Sequence, residues 1–189
     1  NLSAQQDYQF THYMFDNLSF NPGYAGLSQS ICATVLFRQQ WAGFDGSPTT
    51  ALINVHAPIE TLRGGIGFSY LNDQLGFEKN NIARLSYSYH MSVGVGELGI
   101  GLSAGIIQKS FDANWITPDQ GTSFQPADDN SIPINNASGV VPDFNLGVFY
   151  RTNQLFLGVS TTHLGGFEMD DLNVTVSYTH LRAHETNVD

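Results

Sequence analysis

Six histidines, one cysteine, seven basic and seventeen acidic residues are the groups in this 189-residue chain that could carry chemistry. His56 and His90 stand at polar positions of two alternating stretches, where a hydrolase would gather Ser, His and an orienting acid. There is no G-x-S-x-G turn and no orienting acid beside either histidine, so both are read as hydrogen-bonding side chains. An enzyme acting on lipid would need a Ser within hydrogen-bond reach of one of them. Gly94 and Gly96, or Gly99 and Gly101, give G-x-G patterns, but no helix follows to complete a phosphate site. Asp128-Asp129-Asn130 lacks the spacing of a calcium loop. His180, His184 and Glu185 do have the H-x-x-x-H spacing that places two imidazoles on one helix face, as in zinc sites.

That last trio falls in a stretch of doubtful origin. Residues 176–186 (VSYTHLRAHET) resemble, over eleven residues in register, a translated transposon-type sequencing adapter. Residues 176–189 are therefore expected to be a non-native tail, and the trio is given no metal role. No catalytic residue, cofactor or metal is expected in the chain. At the other end, Ser3 and Ala4 before Gln5-Gln6 read residues 1–4 as the residual end of a signal peptide.

The elements that must position the remaining residues are constrained by composition. Charged residues make up 13% of the chain, against about 25% in ordinary soluble domains. Hydrophobic residues are an ordinary 41%, with 19 Gly, 13 Phe and 8 Tyr. A net charge of −10 excludes a nucleic-acid binder built on a basic face. Aromatic richness excludes an acidic disordered chain, and the single Cys32 excludes a disulfide scaffold. No window reaches the roughly 18 apolar residues of a membrane helix; the best run, residues 98–107, is half Gly and small residues. What remains is a transmembrane β-barrel, whose apolar residues alternate rather than cluster.

Period-2 alternation recurs along the chain. Val35 and Phe37 alternate with Thr34, Leu36 and Arg38; Ile53 and Val55 with Asn54 and His56; Ile66, Phe68 and Tyr70 with Gly65, Gly67 and Ser69. Leu85, Tyr87 and Tyr89 alternate with Arg84, Ser86, Ser88 and His90, and Ile100 and Leu102 with Gly99, Gly101 and Ser103. Two further stretches, around Phe144–Tyr150 and Leu155–Val159, bring the total to seven strands of 8 to 12 residues, long enough to cross a bilayer when tilted. The expected fold is an all-β, antiparallel, outer-membrane type barrel over residues 30–175, incomplete and not expected to close. A soluble sandwich also alternates, but its outer face carries Lys, Glu and Thr; here that face is mostly small and uncharged. In a barrel, Arg38, His56, Arg84, His90 and Arg151 would be lumenal polar residues. The connections 41–49, 58–64, 72–79, 92–97, 110–142 and 152–153 read as alternately long and short. That alternation predicts a periplasmic N-terminus with long loops outside. The loop 110–142 is acidic and holds no Lys or Arg, and reads as an exposed acidic lid or binding loop or, more simply, as a solvated excursion.

Residues 9–26 (QFTHYMFDNLSFNPGYAG) follow no strand pattern. They resemble the opening signature of the PorP/SprF family, membrane proteins associated with type IX secretion. Residues 38–49 (RQQWAGFDGSPT), 65–76 (GIGFSYLNDQLG) and the hairpin 87–105 resemble that family in the same order, over residues 4–175 in all. The resemblance implies a non-enzymatic outer-membrane barrel of Bacteroidota-type bacteria that serves protein secretion and gliding motility. Implied partners are periplasmic ring components of the secretion machine, a peptidoglycan-binding protein or a surface adhesin, and outer-membrane lipid. A porin-like channel for small solutes is the alternative. The motif positions Phe10, Tyr13, Phe15, Asn21, Pro22, Tyr24, Gly26, Trp41, Gly43, Gly46, Pro48, Asn72 and Asp73 are the candidate partner-binding residues. Residues 5–29 are expected to form a periplasmic or plug segment. Family members are longer, so later strands are expected to be missing, making this sequence a fragment. Seven strands leave two unpaired edges that lipid cannot satisfy.

Overall fold

The computed structural model describes residues 16–43, 46–111, 137–164, 167–169, 174–176 and 180–187. A short helix α1 (Asn17–Phe20) and a 3-10 turn (Pro22–Tyr24) precede seven antiparallel strands. These are β1 (Cys32–Gln39), β2 (Thr49–Ile59), β3 (Gly64–Leu75), β4 (Glu78–Val93), β5 (Gly96–Phe111), β6 (Ala137–Arg151) and β7 (Leu155–Thr162). A two-stranded ladder, β8 (Phe167–Met169) with β9 (Val174–Val176), follows, and then β10 (His180–Asn187). Each of β1 to β7 pairs with its sequence neighbour, and β10 pairs with β7, giving one open sheet in the order β1-β2-β3-β4-β5-β6-β7-β10. β1 to β7 form an open half-barrel, extended by β10 along β7, so that β1 and β10 are the edges of the eight-stranded sheet among the described residues. No described helix is long and apolar enough to cross a membrane.

The alternation read from the sequence puts opposite chemistry on the two faces. The outer face exposes Val35, Phe37, Phe68, Leu85, Ile100, Leu102, Leu146 and Val159; Leu85 is 66% exposed and Leu102 54%. The inner face buries Asn54, His56, Ser69, Ser86, Ser88, Ser103, Asp143 and Asn145. This is the reverse of a water-soluble domain, in which apolar residues are the most often buried. Register lines the inner residues up in rows across the strands. One row runs Cys32, His56, Gly67, Ser86, Ser103 and Asn145; another runs Asn54, Ser69, Arg84, Gly105 and Asp143. A third inner row is apolar: Leu36, Leu52, Leu71, Ile82 and Ile107 stand side by side on β1 to β5, with Phe20 packed against them.

Three expectations need correction. Three of the seven strands are longer than 8 to 12 residues: β4 and β5 have 16 each and β6 has 15, while β1, β2, β3 and β7, with 8, 11, 12 and 8, keep to the expected length. With that, the long connection expected over residues 72–79 shrinks to Gly76-Phe77, as short as Gly94-Val95 between β4 and β5, so long and short connections do not alternate there. The polar run that suggested a loop is instead a paired ladder. Asn72 donates to Asn81 Oδ1 at 2.7 Å, Thr50 to Asp73 at 2.5 Å, and Lys109 meets Glu78 at 2.7 Å. Pro142, expected in a loop, lies within β6 opposite Ile106. The β6–β7 pairing covers only Leu146 to Arg151 of β6, so the prolyl residue sits on a stretch of β6 with no ladder partner on its β7 side, where a missing N–H is tolerated.

Candidate functional site

The densest set of specific contacts lies where residues 16–29 rest on the inner face. A backbone can approach a sheet this closely only where side chains are absent, and the sheet supplies glycines at those points. A Cβ on Gly101 would fall 2.3 Å from the carbonyl of Pro22, one on Gly99 2.2 Å from Gly23 O, and one on Gly65 2.5 Å from the Cα of Gly26. Gly147 and Gly158 open the space for the Asn21 side chain, since a Cβ on Gly147 would lie 2.1 Å from Asn21 Oδ1. The small inner face is thus shaped to receive a peptide.

Polar groups then fix the segment's position. Asn21 Oδ1 accepts from Gly23 N at 2.9 Å, capping the 3-10 turn, while its Nδ2 donates to the carbonyls of Val148 on β6 and Val159 on β7. Pro22 opens that turn, where its missing N–H costs nothing. Ser88, fully buried, donates to Gly23 O at 2.8 Å. His90 Nε2 donates to Ala25 O at 2.8 Å, and Gly26 N donates to His56 Nδ1 at 3.2 Å. Tyr24 lies edge-on to both His56 and Phe149, with ring centroids 5.3 and 5.1 Å away. Gly26 has φ +77, a conformation that suits glycine. Toward the middle of the sheet, Asn54 donates to Ser19 Oγ at 2.8 Å and to the Asp16 carboxylate. Burial pushes the Asp16 carboxyl above the usual carboxylate range, and its Oδ2 has no hydrogen-bond partner among the described residues.

A second network ties the strands together from inside. Arg84 Nε on β4 meets Asp143 Oδ2 on β6 at 2.5 Å, and His163 Nδ1 meets Asp143 Oδ1 at 2.8 Å. Asn145 donates to Asp143 Oδ2 and to Ser103 Oγ on β5, and accepts from the His163 backbone N–H.

The structure therefore unites Asn21, Pro22, Tyr24 and Gly26 with His56 and His90. It does not bring the other motif residues there. Trp41, Gly43, Gly46 and Pro48 lie in the β1–β2 connection at the opposite end of the strands, where Trp41 is exposed with φ +51 and Gly46 adjoins Gly76. Pro48 O accepts from Gln40 N across that connection. Asn72 and Asp73 are in β3 near that end. Arg38 faces inward at the end of β1, and Arg84 belongs to the second network. Arg151, expected in the interior, is exposed at the last position of β6, where the strand runs out beyond the seated segment. Phe10, Tyr13 and Phe15 lie outside the described residues. Asp143, Asn145 and Ser103 were not singled out beforehand. For Asp143 the signal was available in the parity it shares with Asn145 and Gly147, hidden by reading Pro142 as loop.

A family model described as "Type IX secretion system membrane protein PorP/SprF" matches residues 2–187. The chain belongs to the PorP/SprF family. No curated protein and no solved structure matches it. Membership in PorP/SprF assigns the chain to the membrane components of type IX secretion, working with that machinery. The first block of PorP/SprF-like sequence, residues 9–26, ends in the Asn-Pro-Gly-Tyr turn seated on the inner face.

Proposed function

We propose that this PorP/SprF protein is a non-enzymatic outer-membrane β-barrel component that supports type IX protein secretion and gliding motility by binding partners. Those partners are periplasmic ring components, a peptidoglycan-binding protein or a surface adhesin. The observation that supports the membrane part most strongly is the exposed apolar outer face over a buried polar inner face, the polarity required where lipid replaces water outside. A shallow groove of about 480 Å³ on that outer face, floored by Ala57 and Ala104 between Ile66, Phe68, Leu85 and Leu102, has the chemistry of an acyl-chain surface. Residues 5–29 act as the plug, residues 30–175 as the partial barrel, and residues 176–189 are a non-native tail. The N-terminus faces the periplasm. The exposed Trp41 connection faces outward and offers a surface for an adhesin.

The channel alternative draws on the inner polar rows, which would line a wet path if the seated segment left. Affinity capture of the tagged full-length protein from Bacteroidota membranes tests the two readings together. Enrichment of secretion-ring proteins, with a closed planar-bilayer record, supports the binding role. Steady small-ion conductance with no ring protein captured would replace it by the porin-like one.

A further inference from the structure

The two histidines under the segment read its backbone with opposite chemistry. His90 donates Nε2–H to the Ala25 carbonyl, a bond that an imidazolium also makes. His56 accepts the Gly26 N–H at Nδ1, which requires that nitrogen to be unprotonated. Adding a proton to His56 would set two N–H groups against each other 3.2 Å apart, at a side chain only 7% exposed. The groups facing that imidazole do not compensate. From the 3-10 turn it meets the edge of the Tyr24 ring; its register partners are Cys32 on β1 and Gly67 on β3, and Ser86 on β4 continues the row. Glu60, Arg63, Glu97 and Arg151 lie at or beside the strand-connecting turns of the same end, in exposed or partly exposed positions. No carboxylate is recorded in contact with His56 among the described residues.

We propose that His56 is an acid-sensitive latch: protonation of its Nδ1 breaks the Gly26 bond and releases the segment 17–27 from the inner face. Gly26 lies close to the sheet on the side its side chain would occupy, since a Cβ there would fall 2.6 Å from the Gly65 Cα and 3.0 Å from Ala57 O. Asp16, at the other end of the segment, titrates with the opposite sign, since its buried carboxylate gains from protonation. The latch rests on the seating geometry and does not depend on which secretion partner is bound.

The test uses the full chain in detergent micelles with Cys32→Ser, carrying spin labels at Asn17→Cys and Asn153→Cys, frozen for distance measurement between about pH 7.5 and about pH 5. The expected record is one short, narrow distance at high pH giving way to a long, broad one. The released-to-seated ratio should rise by at most about tenfold per pH unit as the pH falls below the ordinary imidazole pKa of the released state. His56→Gln keeps an acceptor that does not titrate, and should hold the short distance throughout. His90→Gln should release on acidification as the parent does. Far-UV circular dichroism reports the sheet at each pH. A short distance that persists at low pH in the parent overturns the latch, as does release of His56→Gln at the same midpoint.

Discussion

Asn21 shows how one side chain can define a seat. It caps its own turn and donates to carbonyls on two adjacent strands, in a space that two glycines keep open. Asn21→Ala is expected to weaken seating by about 1–3 kcal/mol, because it leaves buried groups unpaired. Gly101→Ala should cost a similar amount, about 1–3 kcal/mol, from overpacking against the Pro22 backbone. Leu102→Ala, one residue on and facing outward, should leave seating unchanged. Amide hydrogen exchange over residues 17–27 measures all three. Asp16 adds a pH dependence of known sign. Its folded pKa is raised, so the seated state binds the proton more tightly than the released one, and seating strengthens as pH falls from the raised value to the ordinary one. In a His56→Gln background the same exchange measurement should therefore slow on mild acidification; faster exchange would contradict the assignment of Asp16.

At the scale of elements, the Arg84–Asp143–His163 network explains how β4, β5, β6 and the end of β7 hold one curvature. Asp143 is 2% exposed, and removing Arg84 would leave a buried carboxylate with His163 and Asn145 as its remaining partners. Arg84→Met is expected to destabilise the sheet by about 3–5 kcal/mol, read as an earlier urea midpoint in micelles, whereas Arg84→Met with Asp143→Leu should recover much of the loss. Strand identity and facing were legible in the sequence because the period of 2 survives wherever one face is apolar and the other small. Strand ends were not. Beyond the apolar band Asn72, Asp73, Glu78, Asn80 and Asn81 pair through polar side chains, and that composition looks like a loop until the partner strand is known. Of the site, the Asn-Pro-Gly-Tyr turn and the two histidines were each visible as residues. Their meeting was not, since it depends on a segment folding back across β2 to β7, contacts separated by 30 to 138 positions.

For the whole molecule, scarce charge and abundant glycine have separate structural causes. Charge is scarce because one face of the sheet is apolar and exposed, and glycine is abundant because the other face receives a peptide backbone. Among the described residues the sheet is open, with β1 and β10 each paired on one side only. In a bilayer such edges leave backbone groups unsatisfied, so the chain as written is expected to give no heat-modifiable, protease-resistant species in vesicles; micelles, which let water reach the edges, should tolerate it. The central claim is the reversed polarity of the two faces. It is tested most directly by placing single fluorophore-labelled cysteines, in a Cys32→Ser background, at Val35, Thr34, Leu85 and Asn153 in micelles of a brominated detergent. Val35 and Leu85 should be strongly quenched, with Thr34, one residue away on the opposite face of the same strand, and Asn153, on an exposed turn, left bright. Equal quenching of Thr34 and Val35, or none at Leu85, would contradict the account.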